Sequence, residues 1–129
     1  MVDNSLCKRE RLRGKRDFAN LFEKGHSFLQ TPYKVIWIKV AEEGLCSCRF
    51  AVSVPKRNFK RAVKRNLLKR RTREAFRTNK QILNAAITDG GQVQMTVIYT
   101  HDKQLPSTDL EEAMIKILQH IAQQYVESV

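Results

Sequence analysis

Acidic residues are few and scattered. The chain holds 13 Asp and Glu against 24 Lys and Arg, and the densest acidic groups are Glu42-Glu43 and Asp109–Glu112. Those groups fall on a predicted turn and a predicted helix start, so no carboxylate cluster is spaced to hold a divalent cation. The three histidines, His26, His101 and His120, sit on separate predicted elements, with no pattern linking them into an acid–base pair. No glycine-rich phosphate-cradling loop and no nucleophile arrangement is present. A self-sufficient nuclease or hydrolase is therefore disfavoured, and no metal ligand is assigned to this chain.

Other absences narrow the class further. No run of about 18 apolar residues occurs, so no membrane span is expected. The segment MVDNSLCKRERLRGK is basic without a following apolar stretch, which argues against a secretory signal. Cysteine is limited to Cys7, Cys46 and Cys48, an odd number without a second ligand pair at zinc-site spacing. Reduced thiols and an intracellular, cytoplasmic location are expected.

What is abundant is positive charge, and it is concentrated. The formal net charge is +11. Between Lys56 and Arg77 there are 11 basic residues and one acidic residue, Glu74, so this stretch accounts for nearly all of the excess. A second, smaller excess spans Lys8–Arg16. A nearly neutral domain carrying one cationic element points to a polyanion partner, nucleic acid or an anionic surface.

The 129 residues suffice for one domain with its own core, and no repeat or linker divides them. Residues 1–14 lack an apolar period and are expected to form a mobile basic arm. KRDFANLFEKG places Phe18, Leu21 and Phe22 at helical spacing and ends at Gly25. HSFLQ, YKVIWIKV and CRFAVSV read as three strands, with a turn near Glu42–Gly44 and a stop at Pro55. Nothing in the basic segment breaks a helix between Arg57 and Lys80. After a turn at Gly90-Gly91, VQMTVIYT reads as a fourth strand. Thr108-x-x-Glu111 has the form of a capping box opening a final helix, whose stripe is Leu110, Ala113, Met114, Ile117, Leu118, Ile121, Ala122 and Tyr125. The expected fold is α+β: a two-layer sandwich of three helices on a four-stranded mixed sheet, in the order α-β-β-β-α-β-α.

On a helical wheel, Arg65, Asn66, Lys69, Arg70 and Arg73 share an arc of roughly 140°. Leu68 and Ala75 lie opposite, while Lys64 and Arg71 fall near the apolar side and must extend their heads to water. Interleaved Glu would have relieved the repulsion, and its absence argues against a merely solvated face. Guanidinium groups suit phosphates. Asn66 adds a donor and an acceptor able to read a 2′-hydroxyl or base edge, or to orient a neighbouring Arg. The opposite face is too poor in large apolar residues for a membrane-surface helix, so no membrane partner is expected.

At this point a resemblance becomes specific. RNLLKRRTREAFR, preceded by VSVPKRNFKRAV, resembles the Arg-Asn-Arg signature of the bacterial ribonuclease P protein subunit family. The spacing Ala-Val-x-Arg-Asn-x-x-Lys-Arg-x-x-Arg-Glu is present from Ala62 to Glu74, and DFANLF, the strand order and the closing helix extend the likeness over nearly the whole chain. The resemblance implies a protein that assists a catalytic RNA in cutting the 5′ leader from precursor tRNA. It implies contacts to that RNA through Arg65, Asn66, Lys69, Arg70 and Arg73, with Lys56, Arg57, Lys60 and Arg61 nearby. It further implies a cleft between the first helix and the sheet that holds the single-stranded leader. Phe18 and Phe22 match the helix positions of that cleft. An aromatic often found on the second strand aligns with Ile36, with Tyr33 and Trp37 as neighbouring candidates. Magnesium is implied, held mainly by the RNA, and no protein partner is required.

From the residues alone, Phe18 and Phe22 fit either core packing or base stacking. Arg71 departs from the apolar residue the family often carries there. A structural RNA-binding protein of the ribosome or its assembly is the alternative function, since small basic α+β domains are common in that setting.

Overall fold

The computed structural model describes residues 21–40, 48–87 and 91–127. The chain opens in these residues on a helical segment, α1, at 21–24. Then come β1 (His26–Gln30), β2 (Tyr33–Val40), β3 (Cys48–Ser53), α2 (Ala62–Asn79), the short α3 (Gln81–Asn84), β4 (Gln92–Tyr99) and α4 (Ser107–Glu127). The strands form one sheet in the order β1-β2-β4-β3. β1 and β4 pair with β2 antiparallel, whereas β3 runs parallel to β4. This is the mixed sheet and α+β class expected from sequence. The expected basic arm at 1–14, the turn near Glu42–Gly44, Cys7 and Cys46 lie outside the described residues.

Side-chain alternation splits each strand between two environments. One sheet face carries Val35, Trp37, Phe50, Met95 and Val97, all at most 3% exposed, and it forms the main core with α2 and α4. α2 contributes Leu68, Thr72, Ala75 and Phe76, and the Phe76 ring stacks on Phe50 with centroids 4.3 Å apart. α4 contributes the stripe from Leu110 to Tyr125 that its 3.6-residue periodicity dictates. Ala122 alone of that stripe is only half-buried.

Two tyrosines tie helices to sheet with polar bonds inside the core. Tyr33 Oη and Thr72 Oγ1 are 2.7 Å apart, joining β2 to the middle of α2. Tyr99 Oη donates to the Lys103 carbonyl at 2.5 Å and accepts from Leu105 N–H at 3.2 Å, which fixes the approach to α4.

Three boundaries differ from the sequence expectation, each for a tertiary reason. α2 starts at Ala62 and not at Arg57, because Phe59 turns inward, 7% exposed, with its ring 5.7 Å from that of Tyr99. A fourth helix, α3, follows α2 directly; Lys80 closes one and opens the other, and Leu83 is buried beneath it. α4 begins at Ser107, with the Pro106 carbonyl accepting from Asp109 and Leu110 N–H, so Thr108 lies inside the helix. Glu111 meets Asn79 Nδ2 at 3.4 Å and joins α4 to α2 instead of closing a capping box.

Burial raises the Tyr33 hydroxyl to about 12, with the Thr72 hydrogen bond opposing the shift and nearby Tyr99 adding to it. A folded value above the unfolded one means that the fold favours the protonated phenol. Its contribution is complete below about pH 10 and declines as the pH rises towards 12, at up to about 1.4 kcal/mol per pH unit. Urea denaturation across this range is expected to show that decline. Tyr33→Phe should reduce it and cost about 1 kcal/mol at neutral pH, and an unaltered alkaline slope in that variant would assign the loss to other groups.

Candidate nucleic-acid interface

The face of the sheet away from α2 and α4 has a different composition. Cross-strand register lines up Ser27, Ile36, Thr96 and Ala51 in one row, Ile38, Gln94 and Arg49 in a second, and Leu29, Lys34, Ile98 and Ser53 in a third. Leu21 of α1, 0% exposed, packs on Ile36, with Ile38, Ala51 and Ile98 around them. Gly25 makes this approach possible. Its N–H closes on the Leu21 carbonyl at 2.8 Å, and a β-carbon there would overlap that carbonyl and come within 2.9 Å of Ile36 Cγ2. The next helix residue, Phe22, is 57% exposed. The floor beside this small apolar cluster is polar: Gln92, Gln94 and Thr96 are buried in the central strand, and Gln94 Oε1 accepts no hydrogen bond.

The aromatic candidates separate accordingly. Ile36 lies on the α1 face together with Leu21. Tyr33 and Trp37 do not join it: they are 0% and 3% exposed and belong to the opposite core. An odd spacing from Ile36 along a strand turns both to the other side. They are corrected here to core residues of the α2–α4 face. Phe18 lies outside the described residues. The polar row Gln92, Gln94 and Thr96 is not among the residues expected from sequence, and its strict alternation with Val93, Met95 and Val97 is the signal that marks it.

The cationic part begins where β3 ends. Asn58 N–H reaches the Pro55 carbonyl at 3.3 Å, making a turn whose tip holds Lys56 and Arg57, both exposed. Lys60 and Arg61 follow, exposed, beside the buried Phe59. α2 then anchors Leu68, Thr72, Ala75 and Phe76 in the core and turns Asn66, Arg70 and Arg73 outward, with Lys69 half-buried at the margin. A shallow depression of about 750 Å³ on this side is lined by Val63, Asn66, Leu67, Lys69, Arg70 and Arg73.

Within α2 seven basic residues stand against one carboxylate. Glu74, the single carboxylate of α2, pairs with Arg77, whose Nε donates to it at 3.0 Å; that bond lowers the Glu74 carboxyl below its ordinary value. The pair neutralises the end of the helix and leaves its first three turns cationic. Arg71 leans to the other flank, and Nη1 reaches the Leu105 carbonyl at 3.4 Å. Arg65 behaves differently from its neighbours. Its Nη1 donates to the carbonyls of Phe59 and Lys60, at 2.7 and 2.9 Å, so one end of this guanidinium is committed to the chain itself. The arrangement offers a cationic strip on α2 and, on the α1 face of the sheet, an exposed aromatic near buried polar groups. Among the described residues no three His, Cys, Asp or Glu side chains converge as metal donors.

Comparisons with known proteins agree with one another. The family model described as Ribonuclease P matches residues 6–122. The ribonuclease P protein component of Porphyromonas gingivalis strain W83 is 36% identical over 119 residues, covering 91% of this chain and 86% of that protein. The component from Thermotoga maritima is 44% identical over 82 residues, 64% of this chain and 67% of the relative. Among solved structures, the Thermotoga maritima RNase P protein aligns with a TM-score of 0.70 at 26% identity, over 87% of this chain and 97% of that one. The Staphylococcus aureus RNase P protein, at 24% identity and a TM-score of 0.68, shares the fold over 92% of this chain and 99% of its own. The ribosomal alternative receives no support from these matches.

The two adjacent α1 residues should respond very differently to truncation. Leu21→Ala is expected to destabilise by about 2–5 kcal/mol in urea melts, as a fully buried leucine does. Phe22→Ala should change stability by less than about 1 kcal/mol, because its ring is mostly in water. A large loss at Phe22 would mean that it serves the core.

Proposed function

This chain belongs to the ribonuclease P protein family, and from that premise we propose how it acts as the protein subunit of ribonuclease P and meets the ribonuclease P RNA. The observation that supports the reading is the outward strip of α2. Asn66, Lys69 and Arg70 stand on it beside Arg73, while the helix's one carboxylate is engaged by Arg77. Such a strip offers several donors to phosphates along one helix face. Lys56, Arg57, Lys60 and Arg61 extend it along the turn before α2, and Arg65 supports that turn. Each phosphate neutralised releases condensed counterions, so binding is expected to weaken steeply with salt.

We further propose that the 5′ leader of precursor tRNA lies over the α1 face of the sheet. Phe22 offers a stacking surface there, contributing about 1–3 kcal/mol per base with little sequence preference, as suits a subunit that meets many leaders. Phe18 is proposed to join it. Ile36 lies beneath Leu21 and forms the apolar foundation of the cleft. The buried amides of Gln92 and Gln94 and the Thr96 hydroxyl supply polar groups that can shift towards a base edge or ribose.

Phosphodiester hydrolysis is assigned to the RNA. Magnesium is proposed to be held mainly there, since the described residues offer it no converging donor set. We propose that the chain works as one RNA-binding domain, in the cytoplasm, without a required protein partner. No helix among the described residues is long and apolar enough to cross a membrane.

Reconstitution tests this assignment. The protein with magnesium alone should leave precursor tRNA intact, and adding the ribonuclease P RNA at low magnesium should restore leader removal. Cleavage by RNA-free protein would place the chemistry in this chain. Phe22→Ala should weaken holoenzyme binding to precursor tRNA by roughly five- to a hundredfold while sparing mature tRNA. Equal weakening of both would remove Phe22 from the leader site.

A further inference from the structure

Arg65 occupies a position where the sequence pattern alone suggests a phosphate contact, but its geometry is that of a clasp. Both carbonyls that receive Nη1 belong to the segment just before α2, Phe59 at 2.7 Å and Lys60 at 2.9 Å. We infer that Arg65 is a positioning residue: it fixes the 55–61 turn so that Lys56, Arg57, Lys60 and Arg61 present their charges to RNA in a set arrangement. The inference rests on the reading of this segment as an RNA-docking surface.

The turn needs such a device for three reasons. The N-cap residue of α2, Arg61, makes no side-chain cap, and the first turn of the helix contains no acidic residue. The positive end of the helix dipole therefore faces four cations with nothing ordinary to offset it, an arrangement that favours fraying. The segment is otherwise held by the buried Phe59 ring and by two backbone bonds of 3.3 Å, Asn58 N–H to Pro55 and Arg65 N–H to Arg61. A guanidinium across two adjacent carbonyls brings acceptor oxygens under a cation and links the turn to the second turn of the helix. Charge-assisted bonds of this kind are about twice as strong as neutral ones. Lysine would carry the same charge on a shorter stem, and its freely rotating ammonium lacks the rigid plane in which the guanidinium aims both N–H bonds of Nη1.

A double-mutant cycle on binding to the ribonuclease P RNA, joined to amide exchange in the protein without RNA, tests this. Arg65→Ala is expected to weaken RNA binding roughly tenfold and to speed exchange of the amides at 56–62 while α4 stays protected. In a chain already carrying Lys56→Ala, Arg57→Ala, Lys60→Ala and Arg61→Ala, the same change should alter affinity less than about twofold, because nothing remains for the clasp to position. Arg70→Ala serves as the additive control, lowering the log–log salt slope by roughly 0.7–0.9 in either background. Arg65→Lys should stay weak; recovery of full affinity would assign Arg65 to a phosphate and overturn the clasp. An equal loss from Arg65→Ala in both backgrounds, or unchanged exchange at 56–62, overturns it as well. Should the alanine variant not fold, Arg65→Lys decides by the same two measurements. If Arg70→Ala leaves RNA binding and its salt slope untouched, the docking surface itself is wrong, and the exchange result still judges the clasp.

Discussion

A helix as basic as α2 is held in the molecule by the side that carries no charge. Leu68, Thr72, Ala75 and Phe76 are buried, the Phe76 ring lies flat on Phe50, and Thr72 meets Tyr33 across the interior. Those contacts fix the rotation of the helix about its own axis. Once the rotation is fixed, Asn66, Arg70 and Arg73 have nowhere to point but outward. Like charges on one helix face repel, and the core beneath holds the helix in place against that cost. The same anchoring explains why the strip persists in the folded protein.

The two faces of the sheet differ in composition. Large apolar side chains on one face close the core under α2 and α4. The other carries a small apolar cluster around Leu21 and Ile36 and, beside it, a row of buried amides and a hydroxyl. Polar side chains are costly to bury without full hydrogen bonding, and Gln94 keeps one unpaired oxygen. The basic turn follows directly from β3, an edge strand of that sheet, so the cationic segment begins at the sheet's border.

Most of the architecture was legible because it depends on periodicities that local sequence carries. β1 and β2 have the limits that their sequence pattern predicts, and the α4 stripe from Leu110 to Tyr125 is buried as its spacing requires apart from the half-buried Ala122. The errors sit where one residue's environment is decided by a distant one. Helical propensity alone would continue α2 back to Arg57; the pull of Phe59 into the core beside Tyr99 stops it at Ala62. Thr108 and Glu111 have the spacing of a capping box, but the helix starts one residue before Thr108 and Glu111 is taken by Asn79. Tyr33 and Trp37 looked like cleft aromatics until strand parity placed them in the opposite core.

By itself the sequence determined the class of the fold, the concentration of charge between Lys56 and Arg77, and the likeness to a family whose partner is RNA, because composition and spacing are properties of the chain taken in order. Only the tertiary structure decided which cations are offered and which are employed. Arg65, Arg70 and Arg77 are equivalent as letters, yet one clasps backbone carbonyls, one lines an open depression and one pairs with Glu74. That assignment follows from which oxygens the folded chain brings within about 3 Å of each guanidinium, a distance that no linear pattern contains.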